Sequence, residues 1–300
     1  MRIIFKPICL MSLIIIISMS TSCHQHTKAN HQHTDTIRVT LQKRVPAKTG
    51  NNQYTITKKI QQWSPSQTAI IICDMWDKHW CKDATTRVNE LAPRINGVIS
   101  IARSEGVLIV HAPSGCMDHY KDYPGRKEAL KYINPSFNRV MNVISTEKLP
   151  SEKNAIWPID QSDGGCTDLT DKGNVNRKVW TKENDQIKIK DNDVISDAGD
   201  EIAGVFAARG IKNVILMGVH TNMCIINRSF GLRNMVRLGL NVVLMRDMTD
   251  AMYDSRSWPY VSHFAGVNLV IQYIEKYICP TILSSDFTHK IPFGFSGAIK

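Results

Sequence analysis

Four short apolar runs punctuate the chain: Thr68–Cys73 (TAIIIC), Val107–Val110 (VLIV), Val214–Met217 (VILM) and Val242–Met245 (VVLM). Runs of this length with no polar face are the pattern of strands covered on both sides. Between them the period changes. Val88, Leu91, Ala92, Ile95, Val98, Ile99 and Ala102 fall at helical spacing before Gly106. Ser196 is a candidate cap for a helix carrying Ile202, Val205 and Phe206, stopped by Gly210. A further helix is expected from about Thr221 to Leu238, ended by Gly239, and a last one on Val267, Val270, Ile271, Ile274 and Tyr277. Near the start, Ile37–Leu41 and Tyr54–Lys58 alternate apolar or β-branched residues with polar ones around Gly50-Asn51-Asn52, which predicts a hairpin.

Strands alternating with helices predict a three-layer α/β/α fold around a mostly parallel, Rossmann-like sheet, with the N-terminal β-hairpin added. The expected organisation is an N-terminal extension at 36–62, a main domain at 63–282 and a tail at 283–300. Residues 113–178 interrupt the pattern with Pro113, Pro124, Pro135, Pro150, Pro158 and Gly164-Gly165. A stretch this long without periodicity is read as a functional insert or lid, followed by a short strand candidate at Val179–Thr181.

Composition narrows the classes. Apolar residues make up 43% of the 300 and charged ones 21%, enough for a full core, which excludes a disordered or collagen-like chain. The formal net charge is +10 but no dense Lys/Arg block occurs, so the excess is read as solvated surface and no nucleic-acid partner is expected. Residues 1–22 run from Arg2 and Lys6 through an apolar stretch to Ser20-Thr21-Ser22, the order of a secretory signal, and Cys23 stands where a bacterial lipoprotein carries its lipid. The expectation is export to the periplasm or outer membrane, with membrane anchoring through a lipid on Cys23. Residues 23–35, with His24, His26, His31 and His33, read as a flexible linker.

Open parallel sheets place their sites at the carboxyl ends of the strands. Asp74, His111 and Asp247 follow predicted strands, Lys182 follows Val179–Thr181, and Gly218-Val-His-Thr-Asn-Met-Cys224 follows Met217. Cys224 would sit in the first turn of a helix, where the helix N-terminus and a nearby ammonium favour a thiolate. Trp76 and Trp80 suit the walls of a pocket for a flat substrate, and His111 is a further candidate contact.

The ordered Asp74, Lys182 and Cys224, with the glycine-led GVHTNMC, resemble the isochorismatase-like cysteine hydrolases, a family that includes nicotinamidases and related amidohydrolases. The resemblance covers roughly residues 66–278. It implies Cys224 as nucleophile, Asp74 as acceptor of the thiol proton and Lys182 as the cation stabilising the charged forms. It also implies a cis peptide at Val219–His220, with the backbone N–H groups of His220 and Cys224 facing the oxyanion. The chain departs from the family at Trp76, where Gln is common, and at His220, where a small residue is common. His111, Asp118 and His119 do not match the family's metal-site spacing, so no metal or other cofactor is expected.

The implied activity is an exported hydrolase cleaving a C–N bond of a small-molecule substrate through a thioester. The alternatives are an ester or vinyl-ether hydrolase of the same fold, or a non-catalytic small-molecule-binding module. A homo-oligomer is compatible with either. Cys116 and Cys166 bracket the insert, and a disulfide between them or two free thiols are both compatible with the sequence.

Overall fold

The structure is a computed structural model and describes residues 36–48, 53–133, 137, 147–174 and 177–298. The signal and linker expectations, Cys23 included, lie outside the described residues, as does the Gly50-Asn51-Asn52 turn.

The strands are β1 (Ile37–Pro46), β2 (Tyr54–Trp63), β3 (Thr68–Cys73), β4 (Leu108–Ala112), β5 (Val194–Ile195), β6 (Asn213–Val219), β7 (Asn241–Asp250) and β8 (Thr281–Ile282). They form one eight-stranded sheet in the order β2-β1-β8-β7-β6-β3-β4-β5. From β8 to β5 all neighbours are parallel, whereas β1 runs antiparallel to both β2 and β8. The expected mixed α/β architecture with a mostly parallel sheet is therefore present.

The three layers follow from the two-residue period of the strands. Ile70 and Ile72 of β3 face one side, where helix α1 (Lys82–Ser104) packs through Val88, Leu91, Ile95 and Ile99. Ala69, Ile71 and Cys73 face the other. There they meet α4 (Gly199–Arg209), α6 (Leu232–Arg237) and α7 (His263–Tyr277) through residues such as Phe206, Met235 and Val270. Two short helices, α2 (Met117–Tyr120) and α3 (Pro124–Leu130), and the single turn α5 (Cys224–Asn227) complete the set used below.

The hairpin widens the sheet. Ile37, Val39 and Trp63 join the α1-side core, and Glu275 of α7 accepts hydrogen bonds from Gln42 and Arg44 of β1 and from Thr281 of β8. The tail also packs: Phe287 and Phe295 are buried, and Asp247 accepts hydrogen bonds from Ser284 and from the Phe293 N–H. Asp247 is thereby an anchor for the tail.

Four local expectations are corrected. Val179–Thr181 forms no strand; the sheet edge is taken by Val194–Ile195, because the segment before it is held by side-chain bonds to Asp77. Ser196 does not cap α4. Ala198 occupies that position, and the Ser196 hydroxyl is bonded to Glu201 instead. The helix expected over 221–238 is two short ones, broken where Arg228 turns extended (ψ 155°) ahead of Ser229-Phe230-Gly231. The disulfide is Cys81–Cys166, spanning 85 residues, and Cys116 is a free, buried thiol packed with Trp76 and Tyr120. Cys166 meets the residue preceding α1, whereas Cys116 opens α2 at the end of β4.

Candidate active site

Sheet register brings the first residues together. Cys73 is level with Ala112 of β4 and Gly218 of β6, so the three chains leave the sheet side by side. Gly218 has φ +107°, and a Cβ there would lie 2.2 Å from the Cys73 carbonyl oxygen, so only glycine fits. Asp74 then turns through φ +48° and is fully buried. Its Oδ1 accepts the Ser114 N–H at 2.8 Å, and its Oδ2 accepts Nε and Nη2 of Arg228, each at 2.9 Å.

Cys224 completes the group. Its thiol lies close enough to the Asp74 carboxylate, the Arg228 guanidinium and the His220 backbone N–H to be affected by all three. The Val219–His220 peptide is cis. The loop is closed by N–H groups of Met223 and Ile225 donated to the His220 carbonyl. Burial, and then the negative charge of Asp74, push the Cys224 thiol well above its ordinary range; Arg228 and the His220 N–H only partly offset this. The resting group is a neutral thiol. Burial and Asp74 thus oppose the expected thiolate, and α5, a single turn, supplies little macrodipole in its favour.

The cation beside Asp74 is Arg228, a residue not singled out from the sequence. It lies four residues after Cys224, and its N–H is donated to the Cys224 carbonyl at 3.0 Å, so one helical turn carries both side chains to one face. That spacing from Cys224 was the available signal. Lys182 is elsewhere: its ammonium is held by Asp185 at 2.6 and 2.8 Å, and among the described residues it makes no ion pair with Asp74. Its main chain is bonded to Asp77, which fixes the backbone and leaves the side chain to reach an outward carboxylate three residues on.

Of the two expected wall residues, Trp76 is covered, whereas Trp80 lines a cavity. Trp76 is buried, and its ring face is covered by Trp180 with centroids 4.1 Å apart. Both indole N–H groups are donated to the Ser114 carbonyl at 3.1 Å. Trp76 therefore helps position Ser114, whose own N–H holds Asp74. Trp80 packs with Cys81, Cys166 and Met252. His111 is fully buried between Glu183 (2.7 Å) and Asp193 (3.2 Å), which removes it from contact with a substrate. Burial alone disfavours its charged form, but the two carboxylates outweigh burial and raise its pKa to about 9.

No protein-family model matches the chain, and no curated protein matches it. Among solved structures it is similar to a cysteine hydrolase from Pseudomonas syringae pv. phaseolicola 1448A, at 13% identity over 74% of this chain and 91% of that one, with a TM-score of 0.44. It is similar to an isochorismatase family protein from Burkholderia thailandensis at 13% identity over 75% and 95%, with a TM-score of 0.41. A pyrazinamidase of Pyrococcus horikoshii, in complex with zinc, gives 15% identity over 72% and 99%, with a TM-score of 0.39. These likenesses are distant, and the chemistry is read from this chain's own atoms.

A second polar group lies beside the first. Asp250, level with Val219 in the sheet, is paired with Arg87 at 2.7 Å and with His263 at 2.8 Å. His79 packs edge-on against His220 with centroids 5.0 Å apart. Burial, then the charge of Arg87, lower the His79 pKa to about 4, so it is neutral at pH 7. Nε2 of His220 and Nη2 of Arg87 are buried with no partner among the described residues. Among those residues, no group of three or more His, Cys, Asp or Glu side chains is arranged to hold a metal ion.

Proposed function

We propose that this chain is a cysteine hydrolase that cleaves the C–N bond of a small amide through a thioester. The observation that carries this reading is the placement of the Cys224 thiol beside the buried Asp74 carboxylate and the Arg228 guanidinium, with the His220 N–H close by. Those are the parts of an activated nucleophile: a base within reach, a fixed orientation, and donors at the position where charge develops.

The chemistry runs as follows. Cys224 Sγ attacks the amide carbon as its proton passes to Asp74, and the carbonyl oxygen becomes an oxyanion facing the N–H groups of His220 and Cys224. Collapse breaks the C–N bond, the proton on Asp74 goes to the leaving nitrogen, and ammonia or an amine departs from a thioester. Water then adds to the thioester carbon, giving its proton to Asp74, and the acid leaves as Cys224 regains a proton. Arg228 neutralises Asp74 when it is charged and faces the sulfur as negative charge develops there. Because guanidinium keeps its protons, Arg228 acts as a fixed charge throughout.

The test is ammonia release from a panel of small amides, with intact-mass detection of the acyl-enzyme. Turnover by the parent protein, abolished in Cys224→Ser, is the expected result. Undiminished turnover in that variant excludes thiol chemistry. The proposal extends to location. The Cys81–Cys166 disulfide supports folding in an oxidising compartment, consistent with residues 1–22 acting as an export signal and Cys23 as a lipid attachment point. Metabolic labelling with palmitate, lost in Cys23→Ala, checks the anchor.

A further inference from the structure

A cavity of about 550 Å³ opens beside the catalytic loop, between the first turn of α1 and the segment around residues 177–179. Its floor and sides include Trp80, His79 and Val179, and its rim carries Lys78, Lys82 and Arg177. All three cations are exposed, and among the described residues none of them forms an ion pair. Among the described residues one acid lines the same space, Asp171, whose carboxylate already accepts the Lys82 backbone N–H at 2.8 Å; Asp168 lies near enough to feel the Lys82 charge but does not line the cavity. Three cations against one engaged carboxylate make the cavity electropositive, and a low-dielectric wall such as Trp80 focuses that field.

The cavity is tied to the reacting groups by one residue. His79 lines it and also packs on His220, whose N–H faces the nucleophile. His79 is held at ring and backbone: its Nδ1 accepts the Cys81 N–H at 3.2 Å, and its backbone N–H is donated to the Thr85 hydroxyl at 2.9 Å. Cys81 is in turn fastened to Cys166. The walls are thus rigid, and only the long cationic side chains at the rim are free to adapt to a ligand.

We propose that this cavity is the subsite for an anionic substituent, a carboxylate or a phosphate, carried by the amide substrate. The proposal rests on the hydrolase reading and adds the substrate class. A mobile charged group at the rim of Lys78, Lys82 and Arg177 would be recognised by charge, while the uncharged part of the molecule passes His79 toward Cys224.

Two measurements on the full chain test it. In the first, hydrolysis of benzamide is compared with that of 4-carbamoylbenzoate. The expected result is a preference for the charged amide of about 10- to 100-fold in kcat/KM, the sum of three exposed ion pairs. The preference falls with added salt and disappears in a Lys78→Ala, Lys82→Ala, Arg177→Ala triple variant, with the benzamide rate unchanged. Equal kcat/KM for the two amides, or a preference that survives the triple substitution, overturns the proposal. In the second, Cys224→Ala protein is titrated with terephthalate and with phenyl phosphate, followed by tryptophan fluorescence. Saturable binding lost in the triple variant supports the subsite even where neither amide is hydrolysed, an outcome that removes the hydrolase reading alone. The tighter of the two ligands identifies the anion. Absence of binding by both overturns the subsite.

Discussion

Two acidic clusters sit at the carboxyl ends of adjacent strands, and they do different things. After β3, Asp74 shares its oxygens between Ser114 and Arg228 and still meets a thiol. At β4, His111 is enclosed by Glu183 and Asp193, and Asp193 is further clamped by Arg103 at 2.8 and 2.9 Å. In the second cluster both imidazole nitrogens are engaged and His111 and its two carboxylates are buried; in the first, the Arg228 side chain is 36% exposed. Strand-end placement brings charged groups to one rim in both. What separates a site from a buried staple is a nucleophile with an accessible side and a bonding partner that can take up its proton.

Substitutions sharpen that contrast. The largest expected effect is in the first cluster: Asp74→Asn lowers kcat by about 10³- to 10⁴-fold, since it removes the proton acceptor while keeping its shape. Arg228→Ala costs about 100-fold, as Asp74 is left buried without its counter-charge, and Arg228→Lys recovers part of that rate; both are read from steady-state kinetics. A full-strength Arg228→Ala enzyme breaks the assignment.

The second cluster is expected to move stability instead. The His111 pKa of about 9 stands above the ordinary imidazole value near ~6.5. Its contribution, about 3 kcal/mol, is therefore fully present below pH 6.5 and lost as pH rises toward 9. Denaturant midpoints across that range measure the slope, and His111→Asn flattens it while leaving kcat per folded molecule unchanged. A comparable loss, about 2–4 kcal/mol, is expected when Cys81 and Cys166 are both replaced by Ser, whereas Cys116→Ser shifts the midpoint far less. The smallest effect belongs to Lys182→Ala, which leaves kcat within about twofold because the ammonium is engaged by Asp185 away from the thiol. A hundredfold drop there restores Lys182 to the site and displaces Arg228.

The buried strands were legible because short, β-branched apolar runs such as TAIIIC and VILM, alternating with helical periods, fit a covered sheet, and β3 occupies the expected residues without a shift. Asp74 and Cys224 were legible for the same reason: each follows the end of such a strand, and register did the rest. Arg228 was hidden by an assumed unbroken helix over 221–238. The extended turn at Arg228 is set by tertiary packing of Phe230 and Leu232 in the core, which no local propensity reveals. The pairing of Cys81 with Cys166 depends on where the insert folds back along α1, a long-range fact without periodic signature. His111 was misread because its partners, Glu183 and Asp193, lie more than 70 residues away.

The guanidinium at position 228 carries a practical consequence. An ammonium in the same place would discharge in alkaline solution and leave Asp74 without its counter-charge. Next to Asp74 the guanidinium is instead held still more firmly charged than usual. On the proposed function, activity would therefore have no basic limb arising from this group, whereas the imidazole staple at β4 loses its stabilising charge as pH rises toward 9.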